Sequence, residues 1–572
     1  MGLSELSRRN FLKGAVATGA VVASSAVLGA CSSPSVEDSS SSLTAAGDWK
    51  LTGITTVEDF EEAAAILEEI TEFADEKTYD IVVCGAGVAG LPAVLTAVDE
   101  GASVACLQKL DTASANGNAT SGIILELSDP NAMPVWQQNL RINNSYRVNM
   151  GLLEHFWKYS GEAAYFVDKY ANIANHPADV IGASPGLMLT EGSFNKYPFP
   201  EVDMFALLHG WSDGNDGLVK ALAPVAEELG ADFYYSTPAV QLVTDASGAV
   251  TGVVGEQPDG SFIKLNATKG VILATGDYEG NRKMLLRYCP DCEGFLATRQ
   301  DRTGDGQLMA IREGARMVPM GHCKQMHCVF ASDYATSSVP LMSLSMNCKR
   351  FMNESLPMTL WHNSTQYLTE QEDRGEFIRI FDDGFEKKNP GMARRDKLEA
   401  WIPGHVDNFK FEIEPWDPGQ IGVHRADTLE ELASELGVDG AALKTAVDEW
   451  NAMVATGVDD KFGLDPEILY TIDTPPYWAI KQHIRIIAIN SGLVVDNNYQ
   501  VIDEGYKPIP GLYAVGTTGD GICGNSDWRM QGGLSNGHCM TSGRYATIHA
   551  LYGENKPKNP VAWDEVKHYY GM

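Results

Sequence analysis

Basic residues and long apolar runs are scarce in this 572-residue sequence. Lysine and arginine total 43 against 76 aspartates and glutamates, so the formal net charge is −33. Phosphate backbones and anionic lipids repel such a chain, so neither nucleic acid nor a charged membrane surface is an expected partner. No internal segment is apolar enough to span a membrane, and no tandem repeat has a solenoid period. Any membrane attachment is therefore expected only through a lipid at the N-terminus.

The ten cysteines lack the spacings of common cofactor motifs. No CxxCH occurs, which excludes an attached c-type haem. Cys84 and Cys106 lie in apolar strand-like segments and are expected in the core. Cys289 and Cys292 have CxxC spacing, so they are either free thiols or a disulfide. An iron–sulfur cluster from scattered cysteines is a further alternative that no regular spacing supports, and no metal site is predicted.

The first 31 residues predict an export signal. Ser7–Lys13 is a twin-arginine signature, and the weakly apolar stretch Gly14–Ala30 follows it. Leu28–Cys31 has the pattern of a lipobox, in which Cys31 is lipidated and becomes the new N-terminus. An ordinary cleavage site with a chance cysteine is the alternative. We expect a protein exported by the twin-arginine route and anchored by lipid at the cell surface.

Residues 79–90 (YDIVVCGAGVAG) join an apolar strand to a glycine-rich turn. Gly85 permits a tight turn, Gly87 allows a pyrophosphate to approach, and Gly90 allows the next helix to pack on the strand. That helix, predicted over Leu91–Glu100, directs its N-terminal N–H groups at the phosphates. The pattern predicts a dinucleotide site.

A second predicted strand, Ser103–Leu107, ends at Gln108. Sites of this kind usually have an acidic residue there, which binds the ribose hydroxyls. An amide can also hydrogen-bond a diol, so Gln108 is expected to take that place.

Further elements are predicted by apolar patterns and turn residues. The first half of the chain has a short acidic helix over 55–76, a hairpin within Asp232–Val254 that turns at 245–248, and a segment Gly270–Asp277 in which a buried strand ends in a small-residue turn. The second half has a helix from Thr303–Gly306 to about Glu313, an acidic helical stretch over Thr428–Ala455, a strand within Ile509–Gly516 and a helix from about Gly533 to Leu551.

Six motifs, in this order, resemble the FAD-dependent fumarate reductase/succinate dehydrogenase flavoprotein superfamily, in its soluble flavocytochrome-c-like branch. The motifs are Gly85–Gly90, the small-residue loop 109–122, GVILATGD (270–277), TGDG (303–306), KRFMNE (349–354) and IPGLYAVG (509–516). The resemblance covers about residues 78 to 553. Within the family, the chain resembles the exported, haem-free reductases of anaerobic gut actinobacteria.

The resemblance implies an α/β fold: a Rossmann-like FAD-binding domain in two segments with an inserted α+β capping domain. The FAD-binding domain would comprise 78–321 and 491–553, and the capping domain 322–490. Residues 1–31 would be the signal, 32–77 a Ser-rich tether with a short helix, and 554–572 a C-terminal tail. Substrate would lie between the two domains against the flavin.

The implied cofactor is noncovalent FAD, because no histidyl or threonyl attachment motif is evident. By position, the residues expected to contact FAD are Gly85, Gly87, Gly90, Gln108, Lys109, Asn116, Thr120 and Gly122, with Ala274, Gly276, Asp305 and Gly516 as weaker candidates.

The implied reaction transfers hydride from flavin N5 to one carbon of an electron-poor C=C bond and a proton to its neighbour. Arg350, in KRFMNE, corresponds to the proposed proton donor of the family. Arginine is normally locked in its charged form, so the alternative is a carboxylate-binding or structural arginine. Arg529 best matches the arginine that clamps the substrate's carboxylate or carbonyl. Arg544 is expected in the packing of the last helix.

His327 fits the first substrate histidine of the family, with His322 as the alternative. The second such histidine is absent, since the corresponding segment is Ala488–Gly492. The stretch between His327 and Arg350 also lacks the residues that bind one carboxylate in fumarate reductases. We therefore expect a larger, less charged enoate or enone, and Tyr334 could assist or replace Arg350 as the acid.

Three functions follow. The first is a terminal reductase of an unsaturated acid or ketone, fed by an external donor such as a membrane-anchored cytochrome, since the chain has no haem motif. The second is a flavin dehydrogenase of the ketosteroid dehydrogenase type, which uses tyrosines as acid and base. The third is a non-catalytic flavin electron-transfer or ligand-binding lipoprotein.

The N-terminal motifs make the first testable prediction. Cys31→Ala should move the protein from the membrane fraction to the soluble fraction, because an acylated cysteine bearing several chains anchors stably. Replacing Arg8 and Arg9 by lysine should separately block export of the folded protein. Fractionation and mass spectrometry of the mature N-terminus test both; a soluble, unlipidated wild type would contradict the lipobox.

Overall fold

A computed structural model describes residues 69–571 except 145, 186–203, 293–294, 298, 320, 329–339, 356–364, 366–367, 373, 390–394, 401, 403–421, 520 and 523–532. All described residues belong to one compact unit.

The strands, β1 to β17 in chain order, are Asp75–Cys84, Val104–Leu107, Ala119–Ile123, Val180–Pro185, Phe205–Gly210, Asp232–Tyr234, Ala239–Thr244, Val250–Glu256, Phe262–Leu273, Leu296–Ala297, Lys324–Cys328, Met342–Ser345, Glu376–Asp382, Gly422–Ala426, Tyr477–Ile489, Gln500–Ile502 and Pro508–Ala514.

The α-helices, α1 to α12, are Gly90–Asp99, Ala132–Asn143, Met150–Ile173, Gly214–Glu228, Arg282–Tyr288, Asp305–Arg312, Phe385–Lys388, Arg395–Ala400, Leu429–Leu436, Gly440–Thr456, Leu534–Tyr552 and Trp563–Val566. Short 3₁₀ helices occupy Pro290–Cys292, Pro466–Ile468, Gly516–Thr518 and Lys567–Tyr570. Among the described residues, no helix is long and apolar enough to cross a membrane.

The largest sheet has the strand order β16-β17-β9-β1-β2-β6, and the hairpin β7–β8 joins it through β9. β1 pairs in parallel with both β2 and β9, and β17 extends the parallel set next to β9. Residues Ile81–Cys84 of β1 are fully buried, as an apolar parallel strand covered on both faces must be. This sheet and helix α1 between β1 and β2 confirm the α/β, Rossmann-like prediction.

A second sheet is built on the long strand β15. The first half of β15 pairs antiparallel with β13 and β14, and its second half pairs with β10 and β11. Its core includes Trp450 of α10 and Trp478 of β15, and Phe381 stacks on Trp478 with ring centroids 6.0 Å apart. A third, three-stranded sheet has the order β3-β5-β4. The limits of the capping domain stay a prediction.

Two predicted helices differ from the structure. The acidic helix over 55–76 cannot reach its predicted end, because Asp75 and Glu76 already pair with β9; residues 55–68 lie outside the described part. The stretch Thr428–Ala455 is two helices, since Gly437 at φ +71° ends α9 and Asp439 caps α10 by accepting from the N–H of Ala442 at 2.7 Å.

The hairpin with its turn at 245–248 is confirmed.

The C-terminal helix α11 packs against α1 and α3 beside the first sheet. A Cβ on Gly543 would lie 2.0 Å from the carbonyl oxygen of Ala89, so glycine permits the contact between α11 and the start of α1. The guanidinium of the next residue, Arg544, donates to both carboxylate oxygens of Glu162 at 2.6 and 2.7 Å and lies over the ring of Phe166. Arg544 therefore packs the last helix, as expected.

Arg544→Met should destabilise the fold by about 3–5 kcal/mol, because it leaves the carboxylate of Glu162 without its cation in a largely buried site. Lys567→Met is the matched control, because Lys567 and Asp564 form an exposed pair that contributes little. Urea unfolding followed by circular dichroism compares the two variants. Equal stability of both would contradict the assignment.

Candidate active site

A cavity open to solvent lies where β1, β2 and β9 end. Its floor is formed by residues just after these strands: Gly85, Gln108 and Ala274. In open α/β sheets, ligands bind outside the carboxyl ends of the parallel strands. Residues that follow three parallel strands line this cavity, so it lies where dinucleotides bind in such folds.

The three glycines after β1 have different surroundings. Gly85 has φ +106°, and a Cβ there would lie 2.4 Å from the carbonyl oxygen of Ala274. A Cβ on Gly90 would lie 1.8 Å from the carbonyl oxygen of Gly85. By contrast, a Cβ on Gly87 would meet only the carbonyl oxygen of Ser114, at 3.4 Å, and Gly87 lines the cavity. Gly85 and Gly90 thus form the turn, while Gly87 leaves space for a ligand.

Next to this turn, polar side chains are held by short contacts. The amide nitrogen of Gln108 donates to the carbonyl oxygen of Thr112 at 2.8 Å. The ammonium of Lys109 contacts Asp305 at 3.0 Å and Thr303 at 3.2 Å. Asp305 begins α6 directly after Gly304, whose φ of +76° explains the TGDG pattern. The second strand and the TGDG segment therefore meet at one edge of the cavity.

Arg299, Asp301 and Arg302 also line the cavity, although sequence analysis did not select them. Arg299 donates to Asp301 at 2.7 and 2.8 Å and to the hydroxyl of Ser114 at 3.2 Å. Burial opposes ionisation of Asp301, but the hydrogen bonds from Arg299 outweigh it and lower the Asp301 pKa. The signal was present in the sequence as the charged run just before TGDG.

At its other end the cavity reaches the second sheet and the C-terminal helix. Gln325 of β11 and Ile487 and Ala488 of β15 line it, together with residues of the first turns of α11. The amide nitrogen of Asn116 donates to the carbonyl oxygen of Ile487 at 2.8 Å. Because Ser535 and Asn536 of α11 line the cavity, the N-terminus of this helix directs its positive dipole end at the same space.

The FAD binding domain family matches residues 80–533, and the twin-arginine translocation signal family matches residues 5–25. The chain belongs to the FAD-binding family. FAD is its cofactor, it is an FAD-dependent oxidoreductase, and it carries a twin-arginine export signal.

Curated relatives are similar over most of this flavoprotein. Vinyl phenol reductase of Lactiplantibacillus plantarum is 25% identical over 500 residues, which is 83% of this chain and 97% of the relative. Urocanate reductase of Eggerthella lenta is 25% identical over 453 residues, or 76% of this chain and 69% of the relative. The resemblance found in the sequence is confirmed.

Two solved structures share the fold. The open conformation of a flavocytochrome c3 fumarate reductase matches with a TM-score of 0.63 and 23% identity. The match covers 84% of this chain and 79% of that chain. The 3-ketosteroid delta1-dehydrogenase of Sterolibacterium denitrificans matches with a TM-score of 0.64 and 20% identity. The match covers 84% of this chain and 100% of that chain. At these identities the likeness concerns the fold alone.

The cavity fits FAD, because Gly87 leaves space at the turn where a pyrophosphate binds. Eight of the residues expected to contact the cofactor line it: Gly85, Gly87, Gln108, Lys109, Asn116, Ala274, Gly276 and Asp305.

The other four expected FAD residues are not among the residues that line the cavity, and their contact with FAD stays a prediction. Gly90 packs under Gly85, as described above. Thr120 is fully buried in β3, and a Cβ on Gly122 would lie 2.4 Å from the carbonyl oxygen of Ser160, so this part of β3 packs on α3. Gly516 donates its N–H to Ser542 at 2.9 Å and lines a smaller neighbouring pocket.

Arg350 lies in an ion pair rather than in the cavity lining. It donates to Glu354 at 2.5 and 2.9 Å and to Asp459 at 2.9 and 3.3 Å, and it lies over the rings of Trp450 and Phe462. Burial alone would lower the Arg350 pKa, but the two carboxylates raise it above its ordinary value. These contacts hold the guanidinium in its charged form, and the role of Arg350 as the proton donor stays a prediction.

His322, the alternative substrate histidine, is a buried core residue. Its Nδ1 lies 2.5 Å from the hydroxyl of Tyr278 and its Nε2 lies 2.7 Å from the carbonyl oxygen of Val318. Burial lowers its pKa to about 4. Tyr334, Arg529 and the side chain of His327 lie outside the described residues. Cys289 and Cys292 are buried free thiols, not a disulfide.

Gly87→Ala should preserve the apoprotein fold but weaken FAD binding by about tenfold or more, equivalent to about 1.4 kcal/mol, because its methyl group enters the phosphate space. Gly85→Ala is the contrasting variant and should also lower thermal stability, since its backbone is in the left-handed region.

Flavin-to-protein ratio and thermal melting distinguish these outcomes. In the wild type, trichloroacetic acid should release all flavin to the supernatant, as expected for noncovalent FAD. Flavin in the pellet would contradict noncovalent binding, and normal FAD affinity of Gly87→Ala would contradict the proposed phosphate position.

Proposed function

We propose that this flavoprotein is an exported, lipid-anchored reductase of an activated C=C bond in an α,β-unsaturated acid or ketone. It acts as a terminal reductase and receives electrons from an external donor such as a membrane-anchored cytochrome. Relatives named vinyl phenol reductase, urocanate reductase and NADH:acrylate oxidoreductase support reduction of an activated C=C bond. Their oxidoreductase family also sets aside the non-catalytic alternative.

The observation that carries the proposal is the composition of the cavity's far end. Among the described lining residues there, the second sheet contributes Gln325, Ile487 and Ala488, all uncharged, whereas a dicarboxylate needs cationic partners. An uncharged or singly charged conjugated substrate fits these residues better than fumarate. The same segment lacks the second substrate histidine of fumarate reductases.

Bound FAD supplies hydride chemistry, and the chain must supply an acid and an anchor. We assign Arg350 a structural role, because it binds both Glu354 and Asp459. Glu354 also accepts from the N–H of Ser343, so these contacts connect β12 to the segment after α10. Burial opposes ionisation of Asp459, but Arg350 and backbone N–H groups lower its pKa to about 2. We assign the acid to Tyr334, with His327 as a substrate contact and Arg529 as the anchor for the substrate's oxygen.

A second candidate, oxidation of a saturated ketone in the ketosteroid dehydrogenase manner, is favoured by the same assignment of a tyrosine acid. It uses these residues in the reverse direction. Reduction of an artificial dye by a saturated ketone, with no reoxidation of reduced flavin by the enone, would select it.

The proposed function is tested by anaerobic rapid mixing of reduced enzyme with fumarate, urocanate, acrylate, 4-vinylphenol and cyclohex-2-enone. A less charged acceptor should reoxidise the flavin faster than fumarate does. Tyr334→Phe should slow that step by roughly 10²–10⁴-fold at unchanged FAD content. Arg529→Met should mainly weaken substrate binding.

Arg350→Lys is the matched control, because it keeps the charge but loses the bidentate contacts. It should lower thermal stability, and its folded fraction should reoxidise at the wild-type rate. A stable Arg350→Lys enzyme that cannot be reoxidised would support Arg350 as the proton donor. A wild-type enzyme that none of the acceptors reoxidises would contradict the reductase proposal.

A further inference from the structure

The described lining of the FAD cavity includes five charged side chains, which are Lys109, Arg299, Asp301, Arg302 and Asp305. Two of the cations are paired within this set, because Lys109 contacts Asp305 at 3.0 Å and Arg299 contacts Asp301 at 2.7 Å. Arg302 has no hydrogen bond or ion pair with another described lining residue. Its positive charge at the cavity is therefore the feature that needs an explanation.

The guanidinium of Arg302 lies beside the end of β9. A Cβ on Gly276 would have Cδ and Nε of Arg302 as its nearest atoms, both at 3.9 Å. Gly276 lies two residues after Ala274, which is the residue that contacts the Gly85 turn most closely. Arg302 and the turn with Gly87 therefore flank the same strand end, where a pyrophosphate is expected.

A buried carboxylate fixes one end of the Arg302 guanidinium. Nη1 of Arg302 donates to Oδ2 of Asp277 at 3.1 Å, and Oδ1 of Asp277 accepts from the N–H of Glu279 at 2.9 Å. The Asp277 side chain is fully buried, whereas that of Arg302 is 16% exposed. Nε and Nη2 of Arg302 have no hydrogen-bond partner among the described residues, so both remain available to a ligand in the cavity.

A second buried carboxyl group, that of Glu279, supports the same segment without adding charge. Its Oε1 accepts from the backbone N–H of Arg299 at 3.0 Å. Burial and the neighbouring charge of Asp277 raise the Glu279 pKa well above its ordinary value, which favours the neutral form. Asp277 therefore supplies the negative charge that holds Arg302, and Glu279 holds the backbone of the segment that carries it.

The cofactor brings two negative charges to this cavity on its diphosphate. The chain's net charge of −33 repels such a group at long range. A guanidinium offsets that repulsion locally, because two of its N–H groups can bind phosphate oxygens together.

We propose that Arg302, held by Asp277, donates Nε–H and Nη2–H to the diphosphate of FAD. Arg302 is then a cofactor-binding residue that recognises the nucleotide half of FAD and contributes nothing to binding of the flavin ring. The inference concerns the cofactor and does not depend on the substrate of the proposed reductase.

Arg302→Met is the primary test, because methionine keeps an unbranched side chain but removes the charge and the N–H donors. Phosphorus NMR of the holoenzyme should show shifted diphosphate resonances. FAD should leave the diluted holoenzyme roughly 10- to 100-fold faster, the factor expected for loss of a hydrogen bond to a charged group. The flavin absorption spectrum and midpoint potential should stay at wild-type values, since the contact is with the phosphates.

Removing Arg302 also leaves Asp277 buried without its cation, so a second variant removes both charges. Arg302→Met combined with Asp277→Asn should lose FAD as quickly as the single variant does. Wild-type retention of FAD by the double variant would mean that the uncompensated Asp277 caused the loss, and would overturn the proposal. Arg302→Lys should recover part of the loss, because it keeps the charge but not the bidentate contact.

Arg316→Met is the matched control, because Arg316 also pairs with a carboxylate, that of Glu504 at 3.4 Å, and is not among the lining residues. It should keep the wild-type phosphorus resonances and release rate. Unchanged resonances in Arg302→Met, at any release rate, would overturn the proposal. A changed flavin spectrum or midpoint potential would do the same, because it would place Arg302 at the flavin ring. These measurements use no substrate, so they remain decisive even if the reductase proposal fails.

Discussion

The close contact between the Gly85 turn, Gly90 and Ala274 is the constraint on which the site depends. With the carbonyl oxygen of Gly85 1.8 Å from any Cβ at residue 90, only glycine allows α1 to start where it does. This contact directs the N-terminus of α1 at the cavity and brings the ends of β1 and β9 together. The position of the cofactor site therefore depends on the absence of a side chain at residue 90.

The second constraint is strand β15, which joins two sets of neighbours. Its first half belongs to the core around Trp450 and Trp478, and its second half ends beside the FAD cavity. The hydrogen bond from Asn116 to Ile487 connects the FAD loop directly to this strand. The residues of β15 that line the cavity are consequently positioned by the hydrophobic core around Trp450 and Trp478.

Features set by neighbouring residues could be predicted from the sequence, whereas those set by distant partners could not. The Gly85 turn, the hairpin at 245–248 and the helix after TGDG depend on local backbone geometry, and each was expected. The ion pair of Arg350 involves Asp459, which is 109 residues away, so the motif around Arg350 could not predict it. Arg299 lines the cavity only because strands remote in sequence pair there.

The pairing of β17 with β9 has a consequence for synthesis. β9 ends at Leu273, but its neighbour begins at Pro508 and the helix that lines the cavity begins at Leu534. A ribosome must therefore release most of the chain before the flavin pocket has all its walls. An export route that carries folded proteins fits this order of events, because a nascent chain threaded across the membrane would meet its cofactor too late or on the wrong side.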